Sequence, residues 1–159
     1  QVEHPVTELI TGVDLVQEQI FIAANRPLKF QQKDIQPKGH AIECRINAEN
    51  PINFIPSPGK IVTWHMPGGP GIRVDSHVYA NYVVPPNYDS MIGKIIVYGK
   101  NRQQALARTK VALSEMIVEG ISTNIPLHLK LFDDSTVQKG GVHINYLEKK
   151  LEDSDFMDV

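Results

Sequence analysis

Apolar and polar residues alternate through the middle of the chain, which is typical of strands that bury one face. Over residues 40–48 the side chains divide into an apolar set and a polar set. The apolar face carries Ile42, Cys44, Ile46 and Ala48, and the polar face carries Glu43, Arg45, Asn47 and Glu49. Shorter apolar runs predict further, mostly antiparallel strands over residues 60–66, 72–76, 82–84 and 91–98.

Apolar residues at helical spacing lie on both sides of these strands. Steps of three and four residues predict a helix over residues 13–25, which Pro27 ends. Later helices are predicted over residues 102–118, 125–133 and 143–151, the first two capped by Asn101 and Asn124. The buried stripe of the 102–118 helix is predicted to contain Ala105, Leu106, Val111, Ala112, Met116 and Ile117. The first four residues are predicted to form a strand that Pro5 stops, and the whole pattern indicates an α+β fold.

The period of the pattern changes near residue 37, where we place a domain boundary. Residues 1–37 then form a strand and a helix, and residues 38–151 form a domain of strands with flanking helices. Residues 152–159 form a polar tail.

Composition excludes several classes of function. The chain has 16 basic and 18 acidic residues and a net charge of −2, so no basic surface for a nucleic acid or a membrane is expected. A single cysteine, Cys44, allows no internal disulfide and fits a reducing, cytoplasmic location. Nothing at the start of the sequence resembles a signal peptide, and no apolar run reaches the roughly 18 residues of a membrane span, so neither feature is expected. The six histidines lack metal-binding spacing, so no metal site is predicted.

Two polar residues at the start of the chain are candidates for acid–base chemistry. In a strand, Gln1 and Glu3 point to one side and Val2 to the other. Glu3 could take a proton from a small oxygen acid, while the Gln1 amide and a backbone N–H hold its remaining oxygens. The alternative is an ordinary solvent-facing strand end.

Arg45 is the second candidate, because it lies in the middle of the polar strand face. A guanidinium there can bind an anion through two parallel hydrogen bonds or stabilise a developing oxyanion. The alternative is a structural salt bridge with Glu43 or Glu49.

The first eight residues, QVEHPVTE, resemble the second half of a signature of the biotin carboxylase family. These are the ATP-grasp enzymes of acetyl-CoA, propionyl-CoA and pyruvate carboxylases. Four more blocks resemble the family in the same order, at residues 39–49, 56–60, 67–69 and 88–94. The segment at 146–150 is similar to the end of stand-alone bacterial subunits. One such motif would be weak, but five in order are specific.

The resemblance implies a fold and a set of site residues. Residues 1–37 would end an ATP-grasp domain, and residues 38–151 would form the family's C-terminal domain, with an antiparallel, barrel-like core. Glu3 would deprotonate bicarbonate, which then attacks ATP to give carboxyphosphate, and Arg45 would hold bicarbonate and later stabilise the biotin enolate. The Gln1 side chain and the Val2 backbone N–H would contact bicarbonate. Ile144 would contact adenine, with core packing as its alternative.

The resemblance also implies ligands and partners. ATP and Mg²⁺ would be cofactors, biotin and bicarbonate substrates, and a biotin carboxyl carrier protein and carboxyltransferase subunits partners. In the family's homodimer Arg73 matches an interface arginine, whereas Pro70 replaces an interface aromatic residue, which predicts a weaker dimer. Because the phosphate loop, the ATP-binding lysines and the Mg²⁺ carboxylates would lie before Gln1, this chain alone is expected to be inactive.

Three functional hypotheses follow. The first is the C-terminal portion of the biotin carboxylase of acetyl-CoA carboxylase, which serves malonyl-CoA and fatty acid synthesis. The second is a non-catalytic dimerisation module. The third is the same region of a multidomain pyruvate or propionyl-CoA carboxylase, against which the polar residues 152–159 argue.

Overall fold

A three-stranded antiparallel sheet organises the chain, of which the computed structural model describes residues 3–152 and residue 156. The strand order is β1 (His40–Asn47), β6 (Met91–Gly99) and β4 (Ile72–Ser76). β6 is nearly continuously apolar because it lies between the other two strands and is covered on both faces. Its single charged residue, Lys94, lies opposite Arg45 on one side and Asp75 on the other.

Four short strands complete the β-structure. β2 (Gly59–Lys60) pairs with β5 (Val83–Val84), and β3 (Thr63–His65) pairs with β7 (Ile117–Glu119), both antiparallel. The helices are α1 (His4–Thr11), α2 (Leu15–Ala23), α3 (Arg102–Glu115), α4 (Ile125–Asp133), α5 (Ser135–Lys139) and α6 (Tyr146–Leu151), with a 3-10 turn at Gln32–Asp34. The predicted α+β class with antiparallel strands is therefore confirmed.

The main core lies on the apolar face of the sheet, where α3 packs against β6 and β1. As predicted, Cys44, Ile46 and Ala48 are buried there, and Ile42 packs against them. The residues that meet them include Ile95, Val97, Leu106, Ala112 and Leu113. Burying aliphatic side chains of this size contributes about 1.5–3 kcal/mol each, so this face holds the sheet rigidly. No helix among the described residues is long and apolar enough to cross a membrane.

The prediction of a strand over residues 1–4 is wrong where the structure describes it. Glu3 is extended and is the N-cap of α1, which begins at His4. Pro5 lies in the first turn of this helix, where its missing N–H costs nothing, so it starts a helix instead of stopping a strand. Gly12, with a φ of 74°, ends α1.

Several boundaries also differ from the predictions. The 102–118 helix ends at Glu115, because Met116 is extended and the next three residues pair with β3. Ile117 is consequently exposed, and Val111 lies on the exposed side of α3, so neither belongs to the buried stripe. The predicted 60–66 strand divides into β2 and β3, and the predicted 143–151 helix begins only at Tyr146. The helices α1 and α5 were not predicted.

Candidate active site

A carboxylate and two cations meet where α1 crosses the polar face of the sheet. Glu3 Oε1 forms an ion pair with Arg45 Nη2, and Glu3 Oε2 accepts a hydrogen bond from Lys94 Nζ. The Glu3 and Lys94 side chains are 22% and 15% exposed, whereas that of Arg45 is 60% exposed. The buried cation therefore holds one oxygen of Glu3, and a solvent-accessible cation contacts the other.

The register of the sheet explains this meeting. Arg45 and Lys94 are directly opposite each other on β1 and β6, so their side chains share one face. α1 packs against both strands on that face. The Glu3 side chain makes no hydrogen bond to the N-terminal N–H groups of α1 and reaches the two cations instead.

The contacts at the other end of α1 fix its orientation. Glu8 accepts a hydrogen bond of 2.7 Å from Arg73 on β4 and another of 3.1 Å from the backbone N–H of Leu15. Arg73 also donates two hydrogen bonds, of 2.8 and 2.7 Å, to Asp75. Hydrogen bonds to Asp75 and Glu8 raise the pKa of Arg73, which stays charged.

A cleft of about 430 Å³ opens beside Glu3 and Arg45. Its other lining residues are Val6, His40, Ala41, Ile42, Glu43 and Arg102. Burial and the Arg102 charge lower the pKa of His40, which favours its neutral imidazole. The cleft thus combines a carboxylate base candidate with guanidinium groups, which suits a small anion that must lose a proton.

Glu43 is a second carboxylate in the wall of this cleft. Its side chain is 9% exposed, and one oxygen lies 3.9 Å from Lys94 Nζ. The other oxygen, Oε2, is buried and has no hydrogen-bond partner in the described part of the chain. Burial raises the pKa of Glu43, and the positive charge of Lys94 opposes this rise.

Side chains from α4 and its N-cap hold the backbone beneath Arg45. The Asn124 amide donates to Arg45 O at 3.1 Å and accepts from the backbone N–H of Asn47 at 2.9 Å. His128 Nε2 lies 2.8 Å from Arg45 O and is the donor, because a carbonyl oxygen can only accept. Burial lowers the pKa of His128, although the bond to Arg45 O favours the charged form. Asn124 is the N-cap residue of α4, as predicted, but its side chain makes no capping hydrogen bond and bonds to β1 instead.

The remaining predicted site residues lie elsewhere. Gln1 and Val2 are outside the described residues. Ile144 is 93% exposed, which excludes the alternative that it packs in the core. Its contact with adenine stays a prediction. Pro70 lines a shallow apolar surface with Ile72, Ala107 and Val111.

Three residues that support the site were not predicted as site residues: Lys94, Asn124 and His128. A signal existed for Lys94, because it is the one charged residue in the apolar run 91–98. No sequence pattern indicates that Asn124 and His128 bond to a strand some 80 residues earlier. Within residues 3–152 no three His, Cys, Asp or Glu side chains lie close enough to hold a metal ion.

Comparison with known proteins places this geometry in a family. The family model of the biotin carboxylase C-terminal domain matches residues 43–149. The family model of the carbamoyl-phosphate synthase L chain ATP-binding domain matches residues 1–31. The biotin carboxylase of Haemophilus influenzae is 63% identical over 95% of this chain, which covers 34% of that relative. A pyruvate carboxylase subunit from Methanothermobacter thermautotrophicus is 55% identical over 94% of the chain, which covers 30% of that relative.

Solved structures give the same fold. The biotin carboxylase domain dimer of Hydrogenobacter thermophilus 2-oxoglutarate carboxylase, in complex with MgADP, ADP and bicarbonate, superposes with a TM-score of 0.93 at 44% identity. The match covers all of this chain and 35% of that chain. The chain therefore spans about a third of the length of the relatives it matches.

Proposed function

This chain belongs to the biotin carboxylase C-terminal domain family, and we propose on that basis that it is part of an ATP-dependent biotin carboxylase. In this proposal Glu3 and Arg45 act in the site where bicarbonate is activated and biotin is carboxylated. The observation that carries the proposal is their contact at the edge of a cleft lined by further charged side chains.

The two residues have distinct roles. Glu3 takes the proton of bicarbonate and so makes it a nucleophile, which requires a carboxylate within hydrogen-bond reach of the substrate. Arg45 binds the same anion and then balances the negative charge of the biotin enolate, because a guanidinium keeps its charge at any physiological pH. Arg45 is 60% exposed, so it can turn away from Glu3 and admit bicarbonate between them.

Other parts of the site are proposed from the resemblance. Gln1 and Val2 contact bicarbonate, and Ile144, which is exposed on the loop before α6, contacts the adenine of ATP. Mg²⁺ is held by carboxylates of the parent protein, as the resemblance implies. The relative bound to MgADP and bicarbonate supports this set of ligands.

We further propose that the parent protein serves acetyl-CoA carboxylase. It would work in the cytoplasm as a homodimer, with a biotin carboxyl carrier protein and carboxyltransferase subunits, to make malonyl-CoA for fatty acid synthesis. The segment at 146–150, which is similar to the end of stand-alone bacterial subunits, supports this choice. Pro70 and Arg73 are assigned to the dimer interface, where the fixed ion pairs of Arg73 orient its side chain.

The substitution Glu3→Gln in the full-length parent protein tests the proposed chemistry. Glutamine keeps the size of the side chain but cannot accept the proton, so bicarbonate-dependent ATP hydrolysis and biotin carboxylation should fall about 100-fold or more. Circular dichroism and the melting temperature should stay near those of the unsubstituted protein. Glu115→Gln, at the exposed end of α3, is the matched control and should keep full activity. A folded Glu3→Gln protein with undiminished turnover contradicts the proposal.

A further inference from the structure

Lys94 differs from Arg45 in how firmly it is held. It projects from the central strand of the sheet, flanked by β1 and β4, and its side chain is 15% exposed. Arg45 projects from a strand at the edge of the sheet and is 60% exposed. A cation that is buried on a rigid strand can fix a carboxylate, whereas an exposed one can exchange that carboxylate for a substrate anion.

We propose that Lys94 is a positioning residue that fixes Glu3 Oε2 and keeps Glu3 ionised, and that Glu43 becomes the partner of Lys94 whenever Glu3 carries the substrate proton. This inference rests on the proposed function, since it assigns the residues that control its base. No covalent step is added: the proton moves from bicarbonate to Glu3 and is then released to water in the cleft, while Lys94 keeps its own protons.

The position of Glu43 gives the reason for the second half of the proposal. A lysine that loses its ionised partner inside a protein is costly unless a second partner is within reach. Glu43 lies 3.9 Å from Lys94 Nζ, beyond a hydrogen bond but within the reach of a small side-chain rotation. Because Glu43 Oε2 has no hydrogen-bond partner in the described residues, it gains by such a rotation.

The direction of the pH effect follows from the charges around Glu3. On the charged face of the sheet, β1 carries Arg45 and Glu43, β6 carries Lys94, and β4 carries Asp75. His40 and Arg102 line the cleft beside Glu3. Removal of the Lys94 charge favours protonated Glu3, so as the pH is lowered activity should be lost at a higher pH than in the unsubstituted protein. Removal of the Glu43 charge favours ionised Glu3, so activity should persist to a lower pH.

The test compares the variants Lys94→Met, Lys94→Arg and Glu43→Gln in the full-length parent protein. The measurement is kcat/KM for bicarbonate, from bicarbonate-dependent ATP hydrolysis, as a function of pH. The acidic limb of this profile is the pH range in which kcat/KM falls as the pH is lowered. Lys94→Met should move the acidic limb to higher pH by about one unit or more, and Lys94→Arg should return it to its original position. Glu43→Gln should move the limb down. Lys110→Met, which removes a surface lysine that pairs with Asp133, is the control and should leave the profile unchanged.

Two outcomes separate this inference from the proposed function. Acidic limbs that stay at the original pH in both Lys94→Met and Glu43→Gln overturn the inference, while an inactive Glu3→Gln protein leaves the proposed function standing. Full turnover by Glu3→Gln removes the proposed function itself. If Lys94→Met does not fold, Glu43→Gln alone tests the inference. A shift of its acidic limb to lower pH supports the inference, and no shift or a shift to higher pH overturns it.

Discussion

The pairing of Glu3 with Arg45 contributes little to stability, and in the proposed function it serves the chemistry. Exposed ion pairs contribute about 0–1 kcal/mol, and Arg45 is 60% exposed. The same pair lies at the edge of a cleft in which bicarbonate could replace one ionic contact with another. The proposed exchange of Glu3 for bicarbonate gives this exposed pair a role that its small contribution to stability does not.

Cys44 allows a prediction at the level of one side chain. It is 2% exposed, and burial raises the pKa of its thiol to about 12. The native thiol should not react with a disulfide reagent at about pH 8, whereas the denatured chain should react at once. Because the unfolded thiol ionises first, stability should fall as pH rises from 9 towards about 12. Rapid thiol reaction of the native protein, followed by absorbance, would contradict the burial of Cys44.

At the level of elements, α4 and its N-cap support the strand that carries Arg45. Replacing Asn124 by Ala removes the acceptor of the Asn47 N–H and one of the two side-chain donors to Arg45 O, so the part-buried Asn47 N–H loses its partner while His128 still donates to Arg45 O. The free energy of unfolding should fall by about 1–3 kcal/mol, measured by denaturant titration. Asn145→Ala is the control, because Asn145 is exposed at the start of α6 and makes no capping bond through its side chain. Equal stabilities of the two variants would show that the Asn124 bonds contribute nothing.

Some elements could be predicted from the sequence because their pattern is local. The alternation at residues 40–48 identified β1 and its buried face, and helical spacing after Asn101 identified α3. β7 could not be predicted, since its pairing with β3 joins residues more than fifty positions apart. α1 was missed because a proline in the first turn of a short helix looks the same in sequence as a proline that ends a strand.

The site could be predicted only in part for a related reason. Arg45 was identified from its position on the polar strand face. Its contact with Glu3 is present in the structure, although Glu3 is the N-cap of a helix and does not lie in the strand that was predicted. Lys94 required the register between β1 and β6, which no local pattern supplies. The roles of Glu3 and Arg45 stay predictions that came from the resemblance.

At the scale of the whole molecule, one face of the three-stranded sheet forms the core and the other carries the charged residues of the candidate site. The apolar face packs against α3 and makes the sheet rigid, and the charged face carries the cations that meet α1. A site on a rigid strand keeps its groups in place better than a site on a loop. Since the chain spans about a third of its relatives, the expectation that it is inactive alone stays a prediction.

A crystal structure of the full-length parent protein with bound bicarbonate tests the central claim most directly. The account predicts one bicarbonate in the cleft, with an oxygen within hydrogen-bond distance of the Glu3 carboxylate and another within that distance of the Arg45 guanidinium. Lys94 should remain on the other oxygen of Glu3. Bicarbonate bound at a distance from both groups, or Glu3 and Arg45 turned apart with protein packed between them, would contradict it.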